Sequence, residues 1–456
     1  MAETKKLKIT FASGAGTVTG ANFLLEGEGK KFLIDCGLVQ NSKLADEDNW
    51  DPWIYDPKTI DILFITHAHI DHIGRIPKLI HDGFAGRIIS TEATHDLARP
   101  MLLDTVNILS RDKEHGLDAF YNEATVEKAM SLWEGVPYHQ EINIDHGFRV
   151  TLKDAGHILG SAMIHFVYNG KTIVFTGDLG NSPSPLLRDT ETLVGADYVI
   201  MESVYGDRNH EHRDERRKIF ETIIEDNYKR GGTLIIPTFS LERTQELLFE
   251  INYLVEGKRI PQMPIYLDSP LAIKLTGVYR KHLECYNEAA QKQIAGGDDV
   301  FMFPGLKITP DTEDSKEILH APDPKIIIAG SGMSNGGRII HHEHNYLPNP
   351  NNTLLLTGYQ SQGTMGRKIE DGAKTVRIFG EDVEVRAHIA KISGYSGHKD
   401  SDGLINFVEN FANSAKRVFV VMGEPKSSLF LVQRLRDYLG VDAIAPMAGD
   451  VIEIEC

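Results

Sequence analysis

Residues Thr59–Pro77 read TIDILFITHAHIDHIGRIP. Ile60–Ile65 is a short, mostly apolar run rich in β-branched side chains, the pattern of a buried strand. It runs into His67, His69, Asp71 and His72, after which the chain turns helical. Imidazole nitrogen and carboxylate oxygen suit Zn²⁺, which takes four such ligands in tetrahedral array at about 2.0–2.2 Å. A turn after a strand lets His67 and His69 point at one ion while Asp71 and His72 serve a second beside it. A histidine-rich surface turn is the plainer alternative, but ligand-type residues crowded into six positions argue against it.

A pair of ions needs further ligands, and two matching turns supply them. DAGHILGSA (Asp154–Ala162) puts His157 in a glycine-flanked turn before a strand. KTIVFTGDLG (Lys171–Gly180) puts Asp178 after a buried strand, where one carboxylate can bridge two metals. FLIDCG (Phe32–Gly37) ends a strand with Asp35, suited to orienting a ligand or a water from behind.

Around these turns the first half of the chain is β-rich. Strand-like runs fall at Leu7–Phe11, Asn22–Leu25, Lys31–Ile34, Met163–Tyr168 and Thr172–Phe175, and Leu97–Trp133 reads as mostly helical. After Tyr205 short apolar strands alternate with helices: GGTLIIPTF, MPIYLDSP, KIIIAGSG and NTLLLTGY each end at a turn. That alternation predicts a parallel α/β sheet. The tail returns to strand (VFVVMG), helix (SSLFLVQRLRDYLG) and strand (DVIEIE).

At about 150 residues per domain, 456 residues allow two or three domains. Hydrophobic content of 41% with 25% charged residues fits a globular chain with a sizeable core. With 48 Lys and Arg against 65 Asp and Glu, the net charge is −17, which excludes a wholly basic nucleic-acid coat. A local basic channel stays open, because exposed charges are screened beyond about 8 Å at physiological salt. Cys36, Cys285 and Cys456 are too few for a disulfide framework or a multi-cysteine zinc site. No signal-peptide pattern and no bilayer-length apolar run is present, so a cytoplasmic enzyme without a membrane partner is expected.

The order Asp35, HAHIDH, His157, Asp178 resembles the metallo-β-lactamase superfamily, which implies an αβ/βα sandwich with a two-zinc hydrolytic site at one sheet edge. YVIMESVYGDR (Tyr198–Arg208) is similar to motif A of the β-CASP nucleases, with Glu202 in the acidic position. SGYSGHKD (Ser393–Asp400) is similar to their motif B, with His398 as its histidine. IPTFSLERTQELL, YLDSPLA, GSGMSNGGR and LTGYQSQGTMGR resemble segments of the inserted domain of that group. Its members include the nuclease subunit of the pre-mRNA cleavage and polyadenylation machinery, ribonuclease J and prokaryotic homologues.

The resemblance implies a metallo-β-lactamase domain over 1–204 and 385–456, with an inserted parallel α/β β-CASP domain at 205–384. It implies zinc-dependent hydrolysis of RNA phosphodiester bonds, endo- or exonucleolytic, in a cleft between the two domains. Single-stranded RNA is the implied partner, and a homodimer is admitted. The implied metal ligands are His67, His69, Asp71, His72, His157 and Asp178, with Asp35 behind them. Two cations acidify a water and neutralise charge on phosphoryl oxygens. Asp71, His398 and Glu202 are the implied catalytic set, His398 protonating the leaving ribose oxygen under the influence of Glu202.

One position departs from the pattern. Motif C of the family supplies a last histidine for the second zinc, and here VFVVMGEP carries Met422 in its place. Thioether sulfur is a soft ligand and a poor match for Zn²⁺. Weaker occupancy of the second site is therefore expected, with a water filling the gap or His398 substituting.

The glycine-rich turn Ser331–Arg338 enters a helix and is a candidate phosphate site, together with Arg243, Arg367 and Lys368. HHEH (His341–His344) is expected on a solvated or RNA-facing helix. The remaining histidines, His115 and His212 included, carry no motif and are expected to be structural. Two rival readings are a catalytically silent RNA-binding scaffold, marked by Met422, and a small-molecule hydrolase of the same fold. At a net charge of −17, RNA must follow a concentrated basic strip, so its affinity should fall steeply as salt rises. Binding isotherms that do not respond to salt would contradict that picture.

Overall fold

Fully buried apolar strand segments such as Ile62–Phe64 and Tyr198–Met201 lie at the centre of the sheets, and strand pairing sets the architecture. The structure, a computed structural model, describes residues 5–40, 49–109, 121–210, 215–361 and 363–456. His115 and His212 lie outside these residues. The chain divides into two compact units, one of Met1–Ser184, Arg188–Asn209 and His398–Cys456, the other of Pro185–Leu187 and His210–Gly397.

The first unit contains two seven-stranded sheets. The first runs Val451–Glu455, Lys6–Ser13, Asn22–Gly27, Lys30–Ile34, Ile62–Phe64, Arg87–Thr91, Trp133–Val136. Its pairs are antiparallel as far as Lys30–Ile34 and parallel beyond. The second sheet runs Ala443–Ile444, Arg417–Val420, Tyr198–Met201, Lys171–Phe175, Ala162–Tyr168, Phe148–Asp154, Ile142–Ile144. Here the strands from Lys171–Phe175 to Ala443–Ile444 are parallel.

An aromatic core joins the two sheets. Phe32 lies 5.0 Å from Phe148 and 5.5 Å from Phe166, and Phe64 lies 5.3 Å from Phe166, between ring centroids. On the outer side of the second sheet, Val174, Val199, Val418 and Val420 pack with Leu404 and Val408 of the helix Ser401–Glu409, and with Leu431 and Leu435 of the helix Pro425–Leu439. The helix Glu92–Leu109 buries Leu97, Ala98 and Leu102 beside the first sheet. This is the αβ/βα sandwich.

The second unit is built on six strands, all parallel: Leu306–Ile308, Ile265–Leu267, Lys325–Ala329, Thr233–Pro237, Thr353–Leu356, His388–Lys391. Burial on both faces explains runs such as TLIIP and KIIIA, whose residues are all buried. The last of these strands keeps the chain in this unit until His398. Among the described residues no helix is long and apolar enough to cross a membrane.

Two expectations for elements shift. The run Ile60–Ile65 narrows to Ile62–Phe64, because Asp61 accepts the Lys31 amide at 2.8 Å and Ile60 closes a 3₁₀ turn at Pro57–Thr59. Trp133 is not helical but begins a strand beside Arg87–Thr91, since cross-strand pairing outweighs local preference. Phe32→Ala should cost about 3–5 kcal/mol, read as a lowered midpoint in urea unfolding.

Candidate metal centre

Parallel strands deliver their carboxyl ends to one edge, which is where open α/β sheets bind ligands. Asp35 follows Lys30–Ile34, His67 follows Ile62–Phe64, Asp178 follows Lys171–Phe175, Glu202 follows Tyr198–Met201, and Met422 follows Arg417–Val420. The loops then press together. A Cβ on Gly37 would fall 1.6 Å from the Asp71 carbonyl oxygen, and one on Gly180 would fall 1.7 Å from that of Gly156. Neither position admits a side chain, so glycine lets the ligand-bearing loops touch.

His67, His69, His157 and Asp178 each bring a ligand atom into a group spanning less than 4.8 Å. His67 Nε2 is 3.1 Å from His69 Nδ1, and His157 Nε2 is 3.3 Å from the same atom. Asp178 Oδ2 lies 3.5 Å from His67 Nε2 and 3.6 Å from His157 Nε2. Its other oxygen, Oδ1, faces His72 Nε2 at 3.4 Å, and Asp71 Oδ2 is 3.9 Å from that nitrogen. His72 Nε2 and Asp178 Oδ1 are buried and find no well-formed hydrogen bond among the described residues. Buried polar atoms left this way are costly, and a cation between them removes the cost. The donor set therefore fits divalent metal.

Asp35 acts from behind. Its Oδ2 accepts from His72 Nδ1 at 2.8 Å and from Thr66 Oγ1 at 2.7 Å, and its Oδ1 accepts the Thr66 amide at 2.8 Å. This fixes the ring of His72 with Nε2 turned toward Asp178. Thr66 Oγ1 also lies 3.1 Å from His67 Nδ1, a link that no motif marked.

Without cations the cluster shares protons. Burial works against charge on His72, but Asp178, Asp35 and Asp71 outweigh it and hold the ring protonated well above the usual range. Burial and neighbouring His72 push His67 well below its usual value. Burial lifts Asp71 to about 6. Burial would also lift Asp178, but His72 and His67 overcome it and hold the carboxyl well below its usual value. A metal ion held by His72 would therefore displace a proton.

His398 joins the edge from motif B. Its Nδ1 lies 3.2 Å from both carboxylate oxygens of Glu202 and 3.9 Å from Asp178 Oδ2. Glu202 is fully buried and accepts the Leu179 amide at 2.6 Å. The Lys399 amide donates to the Leu179 carbonyl, and Lys399 Nζ donates to the Gly180 carbonyl at 2.8 Å. Lys399 therefore ties motif B to the Asp178 loop, a role that its place beside His398 could have signalled. Met422 is buried in the apolar core, and its sulfur packs over Gly14.

The expected phosphate contacts lie elsewhere, and most are spent internally. Arg338 donates to Asp268 at 2.7 Å and to the carbonyls of Thr309 and Pro310. Arg243 is buried in an ion pair with Glu246. Arg367 pairs with Asp371, while Lys368 is exposed. The Ser331 amide donates to the Gly336 carbonyl, and Ser331 Oγ accepts the Asn335 amide. The HHEH helix, Ile339–Tyr346, is not simply solvated: His342 is buried on Asp268 at 2.7 Å, and Glu343 is buried on Ser334. Asp268, 74 residues earlier in the chain, was the missing half of that reading.

Three family models match the chain: the metallo-beta-lactamase superfamily over residues 15–221, the Beta-Casp domain over 244–369, and the Zn-dependent metallo-hydrolase RNA specificity domain over 382–446. The chain is 36% identical to "Ribonuclease TTHA0252" of Thermus thermophilus, over 93% of its own length and 95% of the relative's. It is 30% identical to an "RNase J-like protein" of Methanocaldococcus jannaschii, over 94% and 96%. It is 29% identical to "Transcription termination factor FttA" of Methanosarcina mazei, over 96% and 70%. A crystal structure of a protein of unknown function from Enterococcus faecalis V583 shares the fold, with a TM-score of 0.59 at 14% identity over 98% of this chain and 100% of that one.

Asp35→Asn removes the charge that orients His72 and should weaken metal binding about 10–100-fold. Competition against a chromophoric chelator measures it, and unchanged affinity would remove Asp35 from the centre.

Proposed function

The chain belongs to the metallo-β-lactamase superfamily, in its β-CASP group of RNA-processing nucleases, and on that premise we propose that its histidine–aspartate cluster holds zinc and hydrolyses single-stranded RNA. It is a metal-dependent hydrolase of the nuclease class. The observation that carries the zinc reading is the split carboxylate of Asp178, one oxygen turned to His67 and His157 and the other to His72. Cations bound there would acidify a water and neutralise charge on the phosphoryl oxygens.

The remaining work falls to the protein's own groups. Glu202 holds Nδ1 of His398, and in this reading Nε2 carries a proton to the departing ribose oxygen. Burial opposes charge on His398, yet Glu202 outweighs it and raises the ring to about 9. A raised histidine keeps its proton through neutral pH and loses it as pH rises through that value. Cations held beside it would repel the imidazolium and move that loss to lower pH. The names ribonuclease and RNase J-like carried by relatives support RNA as substrate.

Incubation with 5′- and 3′-labelled RNA, with and without chelator, tests the reading. Chelator-sensitive cleavage is expected, with an alkaline fall in kcat at or below about pH 9. His398→Ala should lower kcat about 10²–10⁴-fold and abolish that alkaline limb. Binding without cleavage would favour the scaffold, and neither binding nor cleavage would favour a small-molecule hydrolase.

A further inference from the structure

We infer that the metal centre is unequal by construction: a zinc position of three imidazoles and Asp178, beside a labile position of His72, Asp71 and Asp178 that takes an exchangeable hard divalent cation such as Mn²⁺. The inference rests on the proposed metal centre, and it follows from what surrounds each oxygen of Asp178.

On the Oδ2 side, His67, His69 and His157 converge with the carboxylate, which completes four ligands. Three nitrogens and one oxygen match zinc in number and kind. On the Oδ1 side the described residues offer one imidazole and two carboxylates, with His72 Nε2 3.4 Å from Asp178 Oδ1 and 3.9 Å from Asp71 Oδ2. An oxygen-rich, incomplete set leaves places for water, and carboxylate and water are the ligands that suit Mg²⁺ and Mn²⁺.

Met422 does not close the gap. It lines the same small cavity as Asp35, His72, Gly177 and Glu202, a space of about 10 Å³ with room for at most one water. Its sulfur packs over Gly14, and Phe23 and Phe175 line the same cavity. Sulfur of this kind prefers soft ions. His398 faces the other oxygen of Asp178: its Nδ1 lies 3.9 Å from Oδ2 and 3.2 Å from both Glu202 oxygens, whereas His72 Nε2 lies 3.4 Å from Oδ1 and 3.9 Å from Asp71 Oδ2. The backbone at 422 has φ of 47°, a left-handed conformation that histidine tolerates better than most residues, so Met422→His is a fair restoration.

Loss of a residue behind a ligand alone costs about 10–100-fold in affinity, so loss of a ligand should separate the two binding steps by about 100-fold or more. The experiment uses the full chain stripped of metal, without RNA. Titration with Zn²⁺ should show one tight equivalent and one at least about 100-fold weaker. After one equivalent of Zn²⁺, added Mn²⁺ should bind once, seen as loss of its free six-line EPR signal, and a mild chelator should remove the manganese and leave the zinc. Met422→His should convert the weak step to a tight zinc, while Met422→Leu should leave both steps as they are. His72→Ala should abolish the manganese step and spare the zinc.

Two tight zinc equivalents in the natural chain would overturn the inference while leaving the nuclease reading intact. So would a manganese step lost in His398→Ala but kept in His72→Ala, which puts the cation among Asp178, Glu202 and His398. Absence of any bound metal would overturn the metal centre itself. If Met422→His does not fold, the natural chain and His72→Ala decide the matter.

Discussion

The buried carboxylate of Asp178 is the constraint on which the first unit depends. It is 3% exposed, and a charge so placed is costly unless it is paired. His67, His72, His157 and His398 approach it from three segments of the chain, each with a ring nitrogen within 3.9 Å of one of its oxygens. Satisfying that one anion requires loops separated by up to 331 positions, from His67 to His398, to meet at one point. Glycine at 37 and 180 lets the loops approach, and Asp35 and Thr66 hold the rings that face it.

Such an arrangement is possible only because the sheets are built first. The phenylalanines of the core hold the two sheets face to face, and the parallel pairing sends successive carboxyl ends to the same edge. The polar site therefore sits on an apolar foundation. Its cost in metal-free form is partly met by shared protons: His72 carries charge for its acidic neighbours, and Asp71 is lifted to about 6. A cation held there would replace those protons, so its binding and their loss would be linked.

The second unit shows the same economy with different residues. Asp268 gathers Arg338, His342, Thr309 and Ser315 at the ends of parallel strands. Residues that look like phosphate contacts along the chain are there the partners of one buried acid, held down to about 2 by His342, Ser315 and Arg338 against the opposing effect of burial. Nothing near Arg338 or His342 in the sequence announces Asp268, because the pairing spans about seventy residues.

The local order of residues was enough to pick out the His and Asp residues that the fold brings together, and most of the strands that precede them, because a strand, a turn and a dense run of His and Asp are short-range patterns. It was enough also to mark Met422 as the break in the pattern. Tertiary structure decided the rest. It turned one oxygen of Asp178 to His67 and His157 and the other to His72, set Glu202 against His398, left His72 Nε2 without a well-formed hydrogen bond among the described residues, and turned Arg338 and Arg243 inward. Each of these is a long-range choice of partner for a buried charge, governed by desolvation and packing across the fold, and no local pattern encodes it.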